Sequence, residues 1–312
     1  MPTQTFTSFE AFFDTIRHTV DLRAMLLGPE QGHWLLTHSI LKNVSVQWGQ
    51  ATGKAVVEGT SMLGGPTIFL QTGGVPAFSG NGRRFDDCSL MVVGPGKEFC
   101  LAADASSRRW CSVHIAGGDL VSANGDGTSA DGSTHGVLTL PSYQIGRFRS
   151  VIEQLDESVQ QAPAAFESAA AQGAAHQKLV REIRNVLARP HQVGRRVGRH
   201  TVPRGPIIRT SMDFFDQHDG EYISVEQLAN SAGVSERTLR EAFQQYFGMP
   251  PVQYLNLRIL NQVRRALKTA NPLVASVTEV ATRFGIWQFG RFARDYRFLF
   301  RELPSETLRN LQ

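Results

Sequence analysis

Five apolar residues near the N-terminus recur at three- and four-residue steps. They are Phe6, Phe9, Phe13, Ile16 and Val20. Residues at these steps lie on one face of an α-helix, so the spacing predicts a packing helix over residues 6–20.

Between residues 33 and 116 the apolar runs become short. Val, Ile, Thr, Phe and Trp cluster between glycine pairs and Gly-Pro turns, which is typical of strands. The predicted strands cover residues 33–38, 44–48, 54–57, 67–71, 89–93 and 110–115. Many short strands separated by turn residues favour an antiparallel sandwich or a small barrel over βαβ units.

Two helical stripes follow this β-rich region. The first contains Ile145, Phe148, Ile152, Leu155 and Val159, and the second contains Leu179, Val180, Ile183, Val186 and Leu187. Each set occupies one face of a helix. Such a stripe is buried in a core or forms a dimer interface, and the sequence leaves both interpretations open.

The chain from Ile207 onward is helical in pattern and contains an internal repeat. Val225, Leu228, Ala229, Gly233 and Val234 match Val277, Val280, Ala281, Gly285 and Ile286 at an offset of 52. Leu239, Phe243, Phe247 and Pro251 match Phe292, Tyr296, Phe300 and Pro304 at an offset of 53. These matched pairs, with a single inserted residue, predict two copies of one supersecondary unit.

Each copy has the features of a helix-turn-helix. Ser224 with Gln227, and Ser276 with Glu279, have the spacing of a capping box at a helix start. A glycine that permits a tight turn follows, and then a second helix with a polar outer face. Between the copies, residues 251–268 predict one helix about 27 Å long at ~1.5 Å per residue. A spacer of that length suits two recognition helices in successive major grooves, about 34 Å apart.

Composition places the chain among globular proteins. Its 312 residues suggest two domains, and 41% of them are hydrophobic and 19% charged. Three cysteines form neither a disulfide framework nor a four-cysteine zinc site, which favours a reducing compartment. No apolar run approaches the roughly 18 to 20 residues of a membrane span, and signal-peptide features are missing. We therefore expect a cytoplasmic protein that does not contact a membrane.

Charge is divided unevenly along the chain. Residues 1–188 hold 14 Lys and Arg against 17 Asp and Glu, a balance of −3, and residues 189–312 hold 18 against 11, a balance of +7. Six arginines and no acidic residue lie between Arg189 and Arg209. This stretch, which also contains prolines and glycines, predicts an interdomain linker that can lie along a phosphate backbone. A solvated basic surface is the alternative.

Three stretches of the helical part carry a resemblance to a known family. They are VEQLANSAGVSERTLREAFQQYFGMPPVQYL, LRILNQVRRAL and VTEVATRFGIWQFGRFARDYRFLFRELPSETL. They resemble the AraC/XylS family of bacterial transcription regulators. The resemblance implies an α+β protein, with a β-barrel-like (cupin-like) antiparallel N-terminal domain and appended helices, then an all-α domain of two helix-turn-helix units joined by a long helix. We expect a sensing and dimerisation domain at residues 1–188, a basic linker at 189–206 and a DNA-binding domain at 207–312.

The resemblance also assigns positions on the two recognition helices to base contacts. They are Arg237, Arg240, Glu241 and Gln244 in the first helix, and Gln288, Arg291 and Arg294 in the second. Arginine can bond guanine, glutamine adenine and glutamate cytosine. The alternative for some of them is an intramolecular ion pair, such as Glu241 with Arg237. Ser235 is expected to cap its helix and to contact a phosphate. Arg196 of the linker is also expected to contact the DNA backbone.

Partners follow from the same resemblance. We expect double-stranded promoter DNA, RNA polymerase and a second copy of the chain, and we consider a small-molecule effector. A small barrel can hold one small ligand, and its candidate lining residues are Trp34, Trp48, Phe69, Phe99 and Trp110. A ligand-independent regulator controlled by abundance or by a protein partner is the alternative. The sequence does not distinguish activation from repression.

An enzyme on the β-rich domain is a remote alternative. A metal-dependent enzyme would need clustered ligands, whereas His33, His38 and His114 are scattered and no H-x-H occurs. We expect no catalytic residue, no metal site and no cofactor.

Two residues of the second copy depart from the first. Arg301 occupies the position of Gly248, where the helix is expected to end with a positive φ. Trp287 aligns with Ser235 at the helix start, where it would contact a DNA sugar or methyl group or simply pack. The nearby Phe289 is expected to pack.

Overall fold

The chain divides into two compact units. The computed structural model describes residues 3–16, 19–30, 32–104, 108–116, 135–161, 163–166, 168–187, 204–218 and 223–309. One unit, here the β-unit, comprises Met1–Ala24, Gly32–Thr52 and Val57–Val197. The other, here the helical unit, comprises Met25–Gln31, Gly53–Val56 and Gly198–Gln312.

Strands in the described residues form two sheets. They are β1 (Gln4–Phe6), β2 (Thr19–Leu26), β3 (Trp34–Leu41), β4 (Val44–Ala51), β5 (Ala55–Ser61), β6 (Thr67–Gly73), β7 (Phe78–Gly80), β8 (Arg83–Arg84), β9 (Ser89–Val93), β10 (Glu98–Ala103), β11 (Arg108–Ile115) and β12 (Gly136–Thr139). A seven-stranded sheet has the order β1-β3-β4-β11-β6-β9-β12, and a five-stranded sheet has the order β2-β5-β10-β7-β8. Strand β11 pairs antiparallel with β4, with Cys111 opposite Trp48. The predicted antiparallel β-domain is confirmed.

Helices cover one face of the seven-stranded sheet. After β12 come α2 (Ser142–Gln161), α3 (Pro163–Phe166) and α4 (Ala169–Leu187). The apolar stripes of α2 and α4 share one buried core with the sheet, in which Ile152 and Ile183 pack with Val46 and Val113. Both stripes therefore belong to the core of the β-unit.

The N-terminal helix is shorter than predicted, and the predicted range of residues 6–20 is wrong. The helix α1 covers only Phe9–Asp14, begins after the capping residue Ser8 and buries Phe9 and Phe12. Phe6 lies in β1, opposite Trp34 of β3, and Val20 lies in β2. At both ends of the predicted helix, pairing with distant strands overrides the local helical spacing. The apolar periodicity therefore predicted a helix longer than the one observed.

All six predicted strands are present, most of them longer than predicted, but six others were missed. The missed strands are β1, β2, β7, β8, β10 and β12. Several have only two to four residues. Runs this short contain too few positions for alternation to be recognised.

Seven helices of the described chain make up the rest of the helical unit. They are α5 (Arg204–Gln217), α6 (Val225–Ser231), α7 (Glu236–Phe247), α8 (Pro251–Thr269), α9 (Val277–Arg283), α10 (Phe289–Phe300) and α11 (Pro304–Arg309). Helix α5 begins at Arg204, inside the range 189–206 predicted as linker. Residues 188–203, including Arg196, lie outside the described residues.

The repeat is present as two helix-turn-helix units, α6–α7 and α9–α10. In the first, Ser224 and Gln227 form both hydrogen bonds of a capping box. In the second, Ser276 accepts a hydrogen bond from the N–H of Glu279 at 3.1 Å, while the Glu279 carboxylate lies 3.9 Å from Arg283. Helix α8 joins the two units, as predicted.

Both recognition helices end in the left-handed region. Helix α7 ends at Gly248 with φ 68°, and α10 ends at Arg301 with φ 60°. Each capping N–H donates to the carbonyl four residues earlier at 3.0 Å, from Gly248 to Gln244 and from Arg301 to Arg297. The predicted equivalence of Arg301 with Gly248 is therefore confirmed.

Two buried arginines of α8 hold the helical unit together. Arg258 donates two hydrogen bonds to Asp216 of α5, at 2.7 and 2.8 Å. Arg264 donates to Glu302 at 3.1 Å and lies over the ring of Phe300. These contacts connect the spacer helix to α5 and to the C-terminal end of α10 in the second helix-turn-helix unit.

Candidate nucleic-acid interface

The first recognition helix, α7, exposes all four residues predicted for it. They are Arg237, Arg240, Glu241 and Gln244. Ion pairs one helical turn apart join Arg237 to Glu241 at 3.2 Å and Arg240 to Glu236 at 2.6 Å. Exposed pairs of this kind contribute only about 0.2–1 kcal/mol, so DNA can replace them at little cost.

Glu241 has a second partner that the sequence did not suggest. Arg204, at the start of α5, donates to the Glu241 carboxylate at 3.1 Å and to its backbone carbonyl at 3.0 Å. Arg237 binds the other carboxylate oxygen. Arg204 and Glu241 are 37 residues apart, so no local spacing rule could have linked them.

The second recognition helix, α10, likewise exposes its predicted residues Gln288, Arg291 and Arg294. Arg291 and Arg294 both lie near one carboxylate, that of Asp295, at 3.5 and 3.6 Å. Both distances are longer than those of the α7 pairs. The two guanidinium groups are therefore held less tightly than their counterparts in the first unit.

The two recognition helices differ in charge. Helix α7 carries two arginines and two glutamates, a net charge of zero, and α10 carries three arginines and one aspartate, a net charge of +2. Phosphate attraction grows with local positive charge. The second helix-turn-helix unit therefore has the stronger general attraction to a polyanion.

The two recognition helices also differ in the residue that precedes their first turn. Ser235 caps α7 by accepting from the N–H of Thr238 at 3.3 Å. Gln288 occupies the corresponding cap of α10 and makes no side-chain capping bond. The alignment of Trp287 with Ser235 is therefore wrong, because Gln288 is the residue at that position. Phe289 was expected to pack but is 37% exposed.

Comparison with known proteins identifies the family. Residues 228–310 match a profile described as a helix-turn-helix domain. The XylDLEGF operon transcriptional activator 2 of Pseudomonas putida is 38% identical over 107 residues, covering 34% of this chain and 68% of that protein. The chain belongs to the AraC/XylS family of transcriptional regulators.

Other proteins similar to this AraC/XylS regulator align with different lengths of the chain. Another Pseudomonas putida protein, the XylDLEGF operon transcriptional activator, is 36% identical over 118 residues, which are 38% of this chain and 37% of that relative. The chain thus spans little more than a third of that relative's length. The crystal structure of the AraC-like transcriptional activator CuxR aligns with 83% of this chain and 93% of its own, at 12% identity and a TM-score of 0.45.

The β-unit of this AraC/XylS regulator contains a cavity of about 650 Å³. Its wall includes Leu36, His38, Ser45, Gln47, Met62 and His114. The His38 ring lies 2.7 Å from the Ser45 hydroxyl, and the His114 ring lies 3.1 Å from the Thr67 hydroxyl. Burial lowers the pKa of His114, which keeps this imidazole neutral near pH 7.

The aromatic residues considered for such a cavity lie elsewhere. Trp34, Trp48, Phe69, Phe99 and Trp110 are buried, and none belongs to the cavity wall. On β4, Val46 and Trp48 belong to the helix-covered core, while Ser45 and Gln47 line the cavity. The strict alternation of β4 was the sequence signal that could have located this wall.

Burial raises the pKa values of the Cys100 and Cys111 thiols, which disfavours the reactive thiolate. Across the described ranges, no group of three or more His, Cys, Asp or Glu could hold a metal ion. No helix in the same ranges is long and apolar enough to cross a membrane.

Proposed function

We propose that the protein regulates transcription by binding double-stranded promoter DNA in a sequence-specific manner, with α7 and α10 in successive major grooves. The observation that carries the proposal is the duplicated geometry: each recognition helix has twelve residues, an exposed polar face and the same left-handed C-terminal cap. The 19-residue helix α8 joins the units. At ~1.5 Å per residue it is about 28 Å long, which suits grooves about 34 Å apart.

The base-contacting candidates remain the exposed residues of the two helices. Arg240 and Arg294 have the reach and the donor geometry to bond guanine in the major groove, and Gln244 and Gln288 suit adenine. Glu241 stands between two arginines, so a contact with cytosine would require it to give up one of them. Ser235 and Arg196 are proposed to contact phosphates.

Footprinting of the full chain tests the proposal. On a site selected from random duplexes, hydroxyl-radical cleavage should show two protected segments per protomer, one helical turn apart on one face of the DNA. Protection over a single groove would mean that the second unit is structural. Binding to single strands only would overturn the proposal altogether.

We further propose how the remaining parts of the chain contribute. Residues 1–188 would act as a sensing and dimerisation domain, residues 189–206 as a basic linker and residues 207–312 as the DNA-binding domain. A dimer would bind more tightly than a monomer through linked binding events. RNA polymerase is the expected protein partner, in the cytoplasm. We propose no catalytic activity.

The cavity of the β-unit favours control by a small molecule. Its size lies within the usual range of ligand pockets, roughly 300–1,000 Å³. Neutral donors and acceptors, such as Gln47 and His114, lie beside apolar wall residues. Thermal denaturation of the full chain across a metabolite panel tests this role. A stabilising compound should lose its effect in the variant His38→Leu, and a panel without any stabilising compound favours a regulator controlled by abundance or by a protein partner.

A further inference from the structure

Trp287 is the residue inserted into the second copy of the repeat. The turn bond from Val234 N–H to the Ala229 carbonyl recurs from Ile286 to Ala281, which places Val234 and Ile286 at equivalent positions. The next residue in the first unit is the cap Ser235, whereas in the second unit the cap is Gln288. The offset therefore changes from 52 to 53 at Trp287.

The side chain of this inserted residue is not used for packing. Trp287 is 72% exposed, whereas Trp34, Trp48 and Trp110 are each at most 7% exposed. An indole buries 150–250 Å² when it packs, so leaving it in water sacrifices a large hydrophobic contribution. Stability of the helical unit therefore does not account for a tryptophan here.

The position of Trp287 is at the end of α10 that approaches DNA. In helix-turn-helix proteins the N-terminal residues of the recognition helix contact the base edges. Trp287 directly precedes the cap Gln288, whose side chain makes no capping bond. Phe289, in the first turn, is also exposed. This end of the helix thus combines apolar surface with the arginines Arg291 and Arg294.

We propose that Trp287 is a specificity-determining residue that contacts the 5-methyl group of a thymine in the site of the second helix-turn-helix unit. The proposal rests on the proposed DNA-binding function. Thymine is the base that presents an apolar group in the major groove. The surface is continuous with the exposed face of Arg291 and Arg294, which favours DNA over a protein as its occupant. The first unit has no inserted residue at this point. The preference for thymine therefore applies only to the second half-site, the DNA segment bound by the second helix-turn-helix unit.

Acrylamide quenching of the full chain tests whether Trp287 meets DNA. Because the other three tryptophans are buried, the easily quenched fluorescence arises from Trp287. Binding of the selected duplex should protect this component, and Trp287→Phe should remove it. If the component stays fully quenchable in the complex, the proposal is overturned.

Replacement of single thymines by deoxyuridine tests the methyl contact. At one thymine in the second half-site, deoxyuridine should weaken binding of the full chain about fourfold, the value for one buried methyl group. Trp287→Ala should weaken binding to the thymine site roughly tenfold and abolish the difference between thymine and deoxyuridine. The exposed Leu273 offers a matched control, since Leu273→Ala removes a similarly exposed apolar group and should leave that difference intact.

The outcomes separate this proposal from the proposed function. Equal loss on all duplexes would make Trp287 a backbone contact, and unchanged affinity would make it a residue for a protein partner; both overturn the thymine contact. In either case the footprint over two grooves would survive. Loss of that footprint in the wild-type chain would instead contradict the DNA-binding function itself.

Discussion

Arg301 occupies a backbone conformation that favours glycine. Its φ of 60° matches the 68° of Gly248, but Arg301 carries a Cβ that makes this region unfavourable by roughly 1 kcal/mol or more. Its guanidinium lies 5.9 Å from the ring of Phe298. This exposed cation–π contact offsets about 0.5 kcal/mol of the backbone strain. The second unit therefore tolerates strain that the first avoids.

We predict that Arg301→Gly stabilises the protein by about 0.5 kcal/mol, because left-handed strain of up to ~2 kcal/mol exceeds the lost ring contact of about 0.5 kcal/mol together with the roughly 1 kcal/mol that glycine adds to the entropy of the unfolded chain. Urea denaturation measures the change. Gly248→Ala, the reciprocal substitution, should destabilise by about 1 kcal/mol. A lower midpoint for Arg301→Gly would show that the arginine contributes more than its strain costs. If DNA binding weakens while stability rises, Arg301 also contacts a phosphate.

His114 makes the β-unit sensitive to acid. Burial lowers its pKa in the folded state, so its contribution to stability is present above the unfolded value of about 6.5 and is lost as pH falls through the lower folded value. We predict that His114→Gln reduces the loss of stability between pH 7.5 and pH 5.5. Denaturation midpoints at both pH values measure it, with the exposed His33→Gln as the control. An unchanged pH dependence would contradict the role of His114.

At the scale of elements, the recognition helices carry arginines in different settings. Arg240 is paired with Glu236 at 2.6 Å, whereas Arg294 lies 3.6 Å from a carboxylate shared with Arg291. Arg294 would therefore lose a weaker ion pair on binding DNA than Arg240 would. Helix α10 should gain the larger share of its affinity from charge, and α7 from matched hydrogen bonds.

We predict that Arg240→Ala and Arg294→Ala each cost ~1 to 3 kcal/mol on the preferred site and relax discrimination at particular base pairs. Selection from random DNA measures the change in preference. Arg283→Ala, which removes an exposed arginine outside the recognition helices, is the control. A uniform loss of affinity without altered preference would make Arg240 and Arg294 phosphate contacts.

At the scale of the whole molecule, basic residues are concentrated in the second half of the chain. The balance of +7 over residues 189–312 contrasts with −3 over residues 1–188. The arginines between residues 189 and 206 add positive charge, which suits contact with any phosphate backbone.

We predict that Arg196→Ala weakens binding to all sequences alike and lowers the slope of log affinity against log salt by about 1. Titrations at several salt concentrations, on selected and on random duplexes, measure it. Arg149→Ala, in the β-unit, is the charge-matched control. A loss confined to the selected duplex would assign Arg196 to base recognition.

The sequence by itself determined the helical unit in most respects. Its signals are local: capping residues, glycine turns and apolar positions three or four apart, repeated at offsets of 52 and 53. Such contacts connect residues close in sequence, so the pattern suffices to define them. The face of each recognition helix, and the strained cap at Arg301, follow from the same repeat.

Only the tertiary structure decided features that depend on distant residues. Pairing of β1 with β3 converted Phe6 from a helical position to a strand. The link between Arg204 and Glu241 and the cavity wall around His114 join segments far apart in sequence. The exposure of Trp287 was equally undetermined, because an aromatic side chain in a sequence suits a core and a binding surface alike. These features depend on long-range packing, which local periodicity does not encode.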